Sequence, residues 1–515
     1  MARSLTSATA QVASIPAPVG GLNDRDSVAS MPPTDAVILE NWWLNPSKLV
    51  TRAGCSSWAT GFASAVETLV DYAPTNGSNK IFAASAGKIY DVTAAGAIGA
   101  AVVTGMTSNR WQDQAITTAG GSYQYLFNGV DDPRLFDGTT WQAVNAGSTP
   151  IAITGVTTNL LIQGNVYRNR LWMVEKNSLH AWYLAVNSVG GAASKWDLGS
   201  IFQYGGYLVG SYTWTLDAGN GQDDHIAFVT TQGEVAVYAG GDPTTSTGFT
   251  LIGVYYVGRP VGQRPCVKYG GDLLIITETG VYPMSSGLLT ATIDRVAAIT
   301  DKIQNTISSL ITAYGSQFGW ELCLYPTNNA LILNVPMSST QSVQYVQNTI
   351  SKQWTKFTGW NAKTFVDSKL GFYFADGNSV KKAWVGNTDS GSVIICDSLP
   401  AFSYFGSPVQ NKSFTLVKPY LRTMGSPSVL YGLNGDFNPQ DVTGVLSYTP
   451  PNAGMIWGSM TWGTMVWGGS YRQLSNWNTT GLIAKSAALR MKLQNNGCST
   501  EWAATDFVYA PGGIF

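Results

Sequence analysis

A short unit recurs between about residues 65 and 400. It consists of two β-prone runs joined by a turn that contains glycine, often followed by an aromatic residue. The copies are "NKIFAASAGKIYDVTAAG" (79–96), "YQYLFNGVDDPRLFDGTTWQAV" (123–144), "NRLWMVEKNSLHAWYLAV" (169–186), "DHIAFVTTQGEVAVYAGGDP" (224–243), "GGDLLIITETGVYPMSSG" (270–287), 328–357 and "LGFYFADGNSVKKAWVG" (370–386). Units of roughly 40–50 residues that each form a small antiparallel sheet are typical of a β-propeller. The repeat therefore predicts an all-β fold with a propeller of six to eight blades.

Residue composition and the length of the strand-like runs divide the chain into three parts. Residues 1–21 are punctuated by Pro and Gly and predict an extended N-terminal arm. Residues 22–400 contain the repeat and are predicted to form the propeller. Residues 401–515 contain longer strand-like runs and predict a C-terminal β-sandwich. Because the arm has few large side chains to bury, we expect a neighbouring subunit or another partner to order it.

One segment departs from the strand pattern and predicts a short helix over 300–315. Ile303, Ile307, Leu310 and Ile311 recur at helical spacing, and we expect this apolar face to pack on the propeller. Thr300 or Asp301 is the predicted N-cap, and Gly315 is the predicted stop.

Charge is scarce along the whole chain. Asp, Glu, Lys and Arg make up 12% of the residues, about half of the share of roughly 25% that is typical of soluble domains. The cores of protein interfaces are depleted in charge and enriched in Trp, Tyr and Met. The composition therefore indicates either a surface solvated by Ser, Thr, Asn and Gln, or a subunit that buries much of its surface in an assembly.

The net charge of −1 argues against sequence-specific DNA binding, since no basic stripe is present to neutralise phosphates. The low net charge is still compatible with a neutral channel through which DNA passes. No apolar run of about 18 residues occurs, so we expect no stable membrane insertion. The N-terminus also lacks the apolar core of a secretory signal.

The residue types that carry metal and redox chemistry are sparse. Five cysteines are scattered without a C-x-x-C pair, which favours buried thiols made in a reducing compartment over a zinc site. There are two histidines, and His180 is interpreted as a packed or edge residue of a strand. His225 lies near Asp217, Asp223 and Asp224, a set that could bind Ca²⁺ or form a solvated turn, and we favour the turn. We expect no cofactor.

The common catalytic motifs are also missing. The chain has no G-x-S-x-G, no H-E-x-x-H and no P-loop. The segment "DSGSV" (389–393) is too far from the Asp-containing turn of propeller sialidases to stand for it. A carboxylate pair assembled from distant blades would still permit a propeller-fold glycoside hydrolase. The interpretation is nevertheless a protein without enzymatic activity.

Three tryptophans recur every five residues in "WGSMTWGTMVWGG" (457–469). A straight strand would place Trp457, Trp462 and Trp467 on alternating faces. A glycine follows each of them and allows a bend or bulge per repeat. We therefore predict one apolar ladder of three indoles. The sandwich core is its first expected site, and a subunit interface and a host membrane are the alternatives.

Several stretches resemble virion proteins from the structural gene clusters of tailed bacteriophages. They are "PAPVGGLNDRDSVASMPPTDAVILENWWLNPSKLVTRAG" (16–54), "HIAFVTTQGEVAVYAGGDPTTSTGFTLIGVYYVGRPVGQR" (225–264), "QYVQNTISKQWTKFTGWNA" (344–362) and the W-x4-W-x4-W element of residues 457–467. In short-tailed, podovirus-type phages such propeller proteins form the tail hub, or nozzle.

The resemblance implies a structural tail protein of the virion, assembled in the bacterial cytoplasm. It implies a homohexameric ring below the portal–adaptor complex that extends the DNA-ejection conduit and anchors tail fibres or a distal plug. DNA would pass through without sequence recognition. A carbohydrate- or receptor-binding tail module is the alternative, suggested by the 18 tryptophans. Exposed Trp in shallow clefts would favour this alternative, and buried Trp would count against it.

Overall fold

A computed structural model of the protein describes residues 9–215, 224–245, 247–287, 297–442, 444–446 and 472–512. Within these ranges most of the regular structure is β-strand and helices are few, which confirms the all-β prediction. The chain divides into two compact units. One consists of residues 57–343 and 361–382, and is called the propeller unit. The other consists of residues 1–56, 344–360 and 383–515, and is called the two-sheet unit.

The strands are numbered in chain order. The first fourteen are β1 (Gln11–Pro16), β2 (Gly21–Leu22), β3 (Asp35–Glu40), β4 (Trp42–Asn45), β5 (Lys48–Thr51), β6 (Cys55–Thr60), β7 (Val66–Tyr72), β8 (Lys80–Ser85), β9 (Lys88–Asp91), β10 (Gly96–Ala97), β11 (Gln112–Thr118), β12 (Gly121–Phe127), β13 (Arg134–Phe136) and β14 (Trp141–Ala143). The next fourteen are β15 (Ile153–Thr154), β16 (Leu161–Tyr167), β17 (Arg170–Glu175), β18 (His180–Tyr183), β19 (Gly191–Ala192), β20 (Ser194–Asp197), β21 (Leu208–Thr215), β22 (Asp224–Thr230), β23 (Glu234–Gly240), β24 (Phe249–Tyr256), β25 (Cys266–Tyr269), β26 (Asp272–Thr277), β27 (Gly280–Pro283) and β28 (Glu321–Tyr325). The last fourteen are β29 (Ala330–Pro336), β30 (Ser342–Asn348), β31 (Trp354–Phe357), β32 (Ala362–Ser368), β33 (Gly371–Asp376), β34 (Ser379–Ala383), β35 (Ile395–Pro400), β36 (Lys412–Thr423), β37 (Ser428–Gly435), β38 (Gly444–Val445), β39 (Arg472–Leu474), β40 (Asn478–Ala484), β41 (Ala487–Gln494) and β42 (Thr500–Pro511). The helices are α1 (Met284–Gly287) and α2 (Gln304–Tyr314).

The propeller unit contains seven blades, within the predicted range. Seven inner strands follow one another, and each contacts the next: β7, β11, β16, β21, β25, β28 and β32. The last of them, β32, contacts β7 and so closes the ring. Four of the blade sheets run β7-β8-β9, β11-β12-β13-β14, β16-β17-β18-β20 and β21-β22-β23-β24. Strands β25-β26-β27 form the fifth blade, and β28 and β29 belong to the sixth.

The seventh blade joins the two ends of the propeller sequence. Its hairpin strands β32, β33 and β34 are extended by β6, which precedes the first blade in the chain. A ring of sheets that is closed in this way removes the two open edges that a linear array would leave.

Tight turns make these blades possible. In the first blade, β8 and β9 are joined by Ala86 and Gly87, both with positive φ (53° and 68°). Positive φ at both central residues gives a hairpin turn whose twist matches that of the strands. In the third blade, Arg168 and Asn169 join β16 and β17 with the same signs of φ (46° and 58°). These two-residue turns let consecutive strands of a blade pair with little intervening chain.

The apolar core of the propeller unit lies between neighbouring blades. One cluster joins the first and second blades, with Val70 and Phe82 on one side and Leu126 and Phe136 on the other. Similar clusters join the second to the third blade, the third to the fourth, the fourth to the fifth and the seventh to the first. The first five blades and the seventh are therefore stabilised by burial against a neighbouring blade.

Helix α2 occurs where the sequence predicts it, after the fifth blade. Ile303, Ile307 and Ile311 are buried, as expected for its apolar face, whereas Leu310 is half-buried. The helix ends before Gly315, as predicted. The N-cap prediction is wrong, because a 3-10 turn over Asp301–Ile303 leads into the helix and no side chain caps it.

The two-sheet unit contains the predicted β-sandwich strands together with N-terminal ones. Its first sheet is built on the long pair β36–β42, with β39, β40, β1, β5 and β4 alongside. Its second sheet contains β3, β35, β41, β37 and β38, with β2 and β31 beside β3. This division differs from the predicted boundaries at 22 and 400, because residues 22–56, 344–360 and 383–400 belong to the two-sheet unit.

The N-terminal arm also differs from its prediction. Strand β1 (Gln11–Pro16) pairs antiparallel with β42 of the same chain, in register from Gln11 with Tyr509 to Pro16 with Ala504. The expectation that a partner orders residues 1–21 is therefore wrong for this stretch. Backbone pairing fixes an edge strand without large buried side chains, and composition does not report such pairing.

A buried arginine holds three segments of the two-sheet unit together. The Arg52 side chain is 1% exposed. Its five N–H groups donate to Asn41 Oδ1, the carbonyl oxygens of Ala53 and Thr358, and both carboxylate oxygens of Asp389, at 2.6–3.0 Å. Full hydrogen bonding is the condition under which a buried charge is tolerated.

Candidate functional site

The first candidate is the polar centre of the propeller unit, where Arg264 joins several blades. Its Nη1 donates to Thr364 Oγ1 at 2.8 Å and lies 3.6 Å from Glu321 Oε2. Its Nη2 donates to Thr68 Oγ1 at 3.0 Å and to the carbonyl oxygen of Trp111 at 2.7 Å. These partners belong to the first, second, sixth and seventh blades, and Arg264 itself precedes the fifth.

Carboxylates on neighbouring inner strands lie in this centre, and their pKa values are raised. Burial raises the pKa of Glu321, although the Arg264 charge opposes the shift. The pKa of Asp113 is raised in the same way, since desolvation outweighs the charge of Arg264, and Asp71 adds repulsion. The pKa values of Asp71 and Asp367 are raised by desolvation, and for Asp367 also by the charge of Asp71.

Raised carboxyl pKa values in a ring of strands are also what a glycoside hydrolase uses for its acid. In this centre, however, the terminal nitrogens of Arg264 are committed to groups of its own chain, and Glu321 also accepts from the backbone N–H of Phe365 at 3.3 Å. A cation whose N–H donors are already bonded to its own chain stabilises the fold. It has few donors left to bind a substrate. We interpret the centre as a cross-link between blades.

The second candidate is an apolar surface on the outer strand of the fourth blade. Strand β24 pairs with β23 on one side and has no other strand partner among the described residues. Its sequence, FTLIGVYY, contains no charge. Leu251, Ile252, Val254 and Tyr256 are all exposed, Ile252 by 53%, and the Tyr204 ring lies 5.8 Å from that of Tyr256. These five side chains are called the blade-four edge.

A β-bulge lies within the blade-four edge. The β23–β24 register shifts so that Ile252 has no partner between the pairs Val237–Gly253 and Tyr238–Leu251. A bulge twists an edge and hinders the regular addition of another strand. The surface is therefore suited to side-chain packing against a partner more than to strand addition. Exposed apolar patches on globular proteins often mark interaction sites.

The structure separates the residues that were considered for metal binding. His180 lies on β18, with its Nδ1 3.1 Å from Glu175 Oε2, as a strand residue with a nearby partner. His225 lies on β22 and packs against the ring of Trp214, so the interpretation as a turn residue is wrong for it. Asp224 accepts a hydrogen bond from Thr215 Oγ1 at 2.7 Å.

The remaining members of the candidate Ca²⁺ set, Asp217 and Asp223, lie outside the described residues. In the part of the chain that the structure covers, no group of three or more His, Cys, Asp or Glu is placed to hold a metal ion. All five cysteines are free thiols, three of them buried. No helix among the described ranges is long and apolar enough to cross a membrane.

Trp457, Trp462 and Trp467 also lie outside the described residues, so the indole ladder stays a prediction. Of the tryptophans that are described, Trp477 alone is more than a third exposed, at 42%. Trp42, Trp111, Trp172, Trp360 and Trp502 are fully buried. Most of the described tryptophans are therefore buried or half-buried, which counts against open sugar-binding clefts among them.

Sequence reasoning missed both Arg264 and the blade-four edge. The signal for the edge was an uncharged run of eight residues, 249–256, inside a chain that was already poor in charge. Nothing in the local sequence marks Arg264, because its partners lie in other blades.

No protein-family model matches the chain, and no curated protein matches it. Among solved structures it is similar to BBS1N in crystals of its complex with ARL6DN, soaked with mercury or with lead. The sequence identity is 11% in both cases, and the TM-scores are 0.40 and 0.39. Each match covers 64% of this chain and 97% of the other. Scores this low carry no argument about function.

Proposed function

We propose that the protein is a structural subunit of a bacteriophage tail, in a hub or nozzle ring that continues the DNA-ejection conduit below the portal–adaptor complex. Copies of the chain, six in the ring, are the first partners. The portal–adaptor protein and a tail fibre or plug protein are the others. The assignment to a phage tail rests on the sequence resemblance, and the assignment to an assembly rests on the blade-four edge.

The blade-four edge is the single structural observation that carries the assembly part of the proposal. A subunit that assembles through its sides needs a lateral surface with little charge to desolvate. Strand β24 offers such a surface on the outside of a blade, supported by the cores on both sides of the fourth blade. Because these cores hold the blade rigid, little conformational entropy is lost when the edge is buried.

The low charge of the whole chain supports the same proposal. At 12% charged residues, much of the surface has no strongly hydrated groups to strip on association. The occupied donors of Arg264 favour a structural role over catalysis. DNA would run through the centre of the ring of subunits, since the propeller centre is crossed by side chains.

The test introduces one charge on the edge. Val254→Lys places an ammonium within the apolar surface, and we expect it to prevent oligomers while the monomer stays folded. Val186→Lys, at a valine that is similarly exposed in a loop of the same unit, is the control and should assemble normally. Native mass spectrometry of the three proteins measures the outcome.

A wild-type chain that remains monomeric at high concentration would contradict the assembly proposal, as would a Val254→Lys protein that assembles like wild type. The tail assignment is tested separately by mass spectrometry of purified virions from a phage that encodes the chain. Absence of the chain from those virions would contradict it, whatever the oligomeric state.

A further inference from the structure

The blade-four edge supplies one half of a ring contact, and a ring needs a second, different surface. In a ring of more than two copies, each contact joins one surface of a copy to another surface of the next copy. A surface that paired with itself would join two copies and end the assembly there. The proposed ring therefore implies a surface that matches the blade-four edge, with apolar side chains and little charge.

Three apolar side chains form a row across the outer face of the first sheet in the two-sheet unit. Val12 of β1 pairs with Val508 of β42, and Val508 pairs with Leu416 of β36. Directly paired residues of neighbouring strands share one face of a sheet. The neighbours of Val508 along β42, Phe507 and Tyr509, are buried, so Val508 points away from the packed side of the sheet. Val12 is exposed, and Leu416 and Val508 are half-buried.

A second row lies beside the first on the same face. Ala510 of β42 and Ile483 of β40 both pair with Ser413 of β36. Ala510 is two positions from Val508 along the strand and therefore shares its face. Ile483 is 74% exposed. The five apolar side chains of the two rows are called the first-sheet face: Val12, Leu416, Ile483, Val508 and Ala510.

The first-sheet face matches the blade-four edge in composition. Strands β1 (QVASIP) and β40 (NTTGLIA) contain no charged residue, and neither does β24. Exposed Ser14 and Thr479 border the face, and exposed Thr250 borders the edge. An apolar centre with a polar rim is typical of protein interfaces. The centres of both surfaces can therefore be buried without removing water from a charged group.

Charged residues lie at the borders of the first-sheet face. In the next row, Lys418 of β36 pairs with Asp506 of β42, with 3.4 Å between Nζ and Oδ2. Lys485 follows the end of β40 and is exposed. A border charge can stay hydrated while the centre is covered, as the charged residues in the rim of an interface do.

We infer that the first-sheet face receives the blade-four edge of the next copy in the ring. The inference rests on the proposed function and adds the partner surface that a ring requires. The bulge at Ile252 hinders strand addition, and the flat face of a sheet offers side chains to pack against instead. Other exposed apolar residues, such as Val102, Val186 and Ile350, lie in loops or turns, so no strand pairing holds them in a row with apolar neighbours.

The test uses a variant of each surface and an equimolar mixture of the two. Ile483→Lys places an ammonium in the first-sheet face, as Val254→Lys does in the blade-four edge. Each change should raise the dissociation constant of the contact at least about tenfold, so each variant alone should be monomeric in native mass spectrometry. The Val254→Lys copy keeps an intact face, and the Ile483→Lys copy keeps an intact edge. Their mixture should therefore form a dimer with one copy of each variant, and no larger ring.

Ile350→Lys is the matched control, because Ile350 is 67% exposed in a turn of the same unit and should allow normal rings. Val12→Lys, on another strand of the first-sheet face, should repeat every result of Ile483→Lys, which separates loss of the contact from a folding defect of one variant.

Three results would overturn the inference and leave the assembly proposal standing, provided that Val254→Lys alone prevents rings. They are rings formed by both first-sheet variants, mixtures that remain monomeric with both of them, and dimers that contain a single variant. A wild-type chain that remains monomeric would instead contradict the proposed function, and the inference would fall with it.

Discussion

Replacing Arg264 by Met should destabilise the propeller unit strongly. The change removes three hydrogen bonds and leaves Glu321 as a carboxylate with 13% of its side chain exposed. Three bonds at about 0.5–1.5 kcal/mol each give about 1.5–4.5 kcal/mol. Breaking one side of a buried ion pair gives about 3–5 kcal/mol. Because the Arg264 and Glu321 side chains are both slightly exposed, we expect the free energy of unfolding to fall by about 3 kcal/mol.

Hydrogen exchange measured by mass spectrometry is the suitable assay, because a chain with two units need not unfold in one step. Peptides from β25, β28 and β32 should exchange faster in the Arg264→Met protein. Lys195→Met is the control: Lys195 lies 4.0 Å from Asp197 on the surface of the same unit. An exposed pair of this kind contributes at most about 1 kcal/mol.

The stability lost in the Arg264→Met protein should depend on pH, and the pKa shift of Glu321 gives the direction. The Arg264 charge lowers the pKa of Glu321, so its removal raises this pKa further above the value of about 4.3 expected in the unfolded chain. A carboxyl with a raised folded-state pKa holds its proton more tightly when folded, so the free energy of unfolding falls as pH rises through that pKa. The difference between wild type and Arg264→Met should therefore be smaller near pH 4, where only the three lost hydrogen bonds contribute, and largest at pH 8. A loss below about 1 kcal/mol at pH 8 would refute the cross-link.

Three further outcomes are expected. Arg52→Lys should destabilise the two-sheet unit by about 2–3 kcal/mol, because an ammonium cannot form the paired bonds to Asp389, and thermal unfolding like that of wild type would contradict this. Asp367→Asn removes a charge that repels Asp71. It should therefore stabilise the protein at pH 8, by less than about 1 kcal/mol after solvent screening, and have no effect near pH 4 in urea titrations. Burial raises the pKa of the Cys396 thiol, so maleimide should label it only after unfolding, and rapid labelling at pH 7 in the native state would show that the site is open.

The local parts of the fold could be predicted from the sequence, because local patterns encode them. The hairpin of residues 79–96 contains its turn, Ala86–Gly87, within the repeat itself. The helix over 304–314 has its apolar spacing in one short segment. Its entry was predicted less well, since a 3-10 turn without a side-chain cap replaced the expected Thr or Asp cap.

The long-range parts could not be predicted, because strand pairing and buried polar contacts join distant positions. Strand β3 (Asp35–Glu40) pairs with β35 (Ile395–Pro400), so residues that precede the repeat belong to the two-sheet unit. Arg264 bonds to Thr68 and Thr364, which lie 196 and 100 positions away. The exposure of β24 also depends on its place as the fourth strand of its blade, and a run of apolar residues alone does not distinguish an edge from a core strand.

Single-particle electron cryomicroscopy of the purified chain at high concentration tests the central proposal most directly. We expect closed rings of identical copies, six per ring, in which each seven-bladed unit contacts its neighbour through Leu251, Ile252, Val254 and Tyr256. Separate monomers, or rings in which β24 faces solvent, would contradict the proposal that this edge makes the protein a ring subunit.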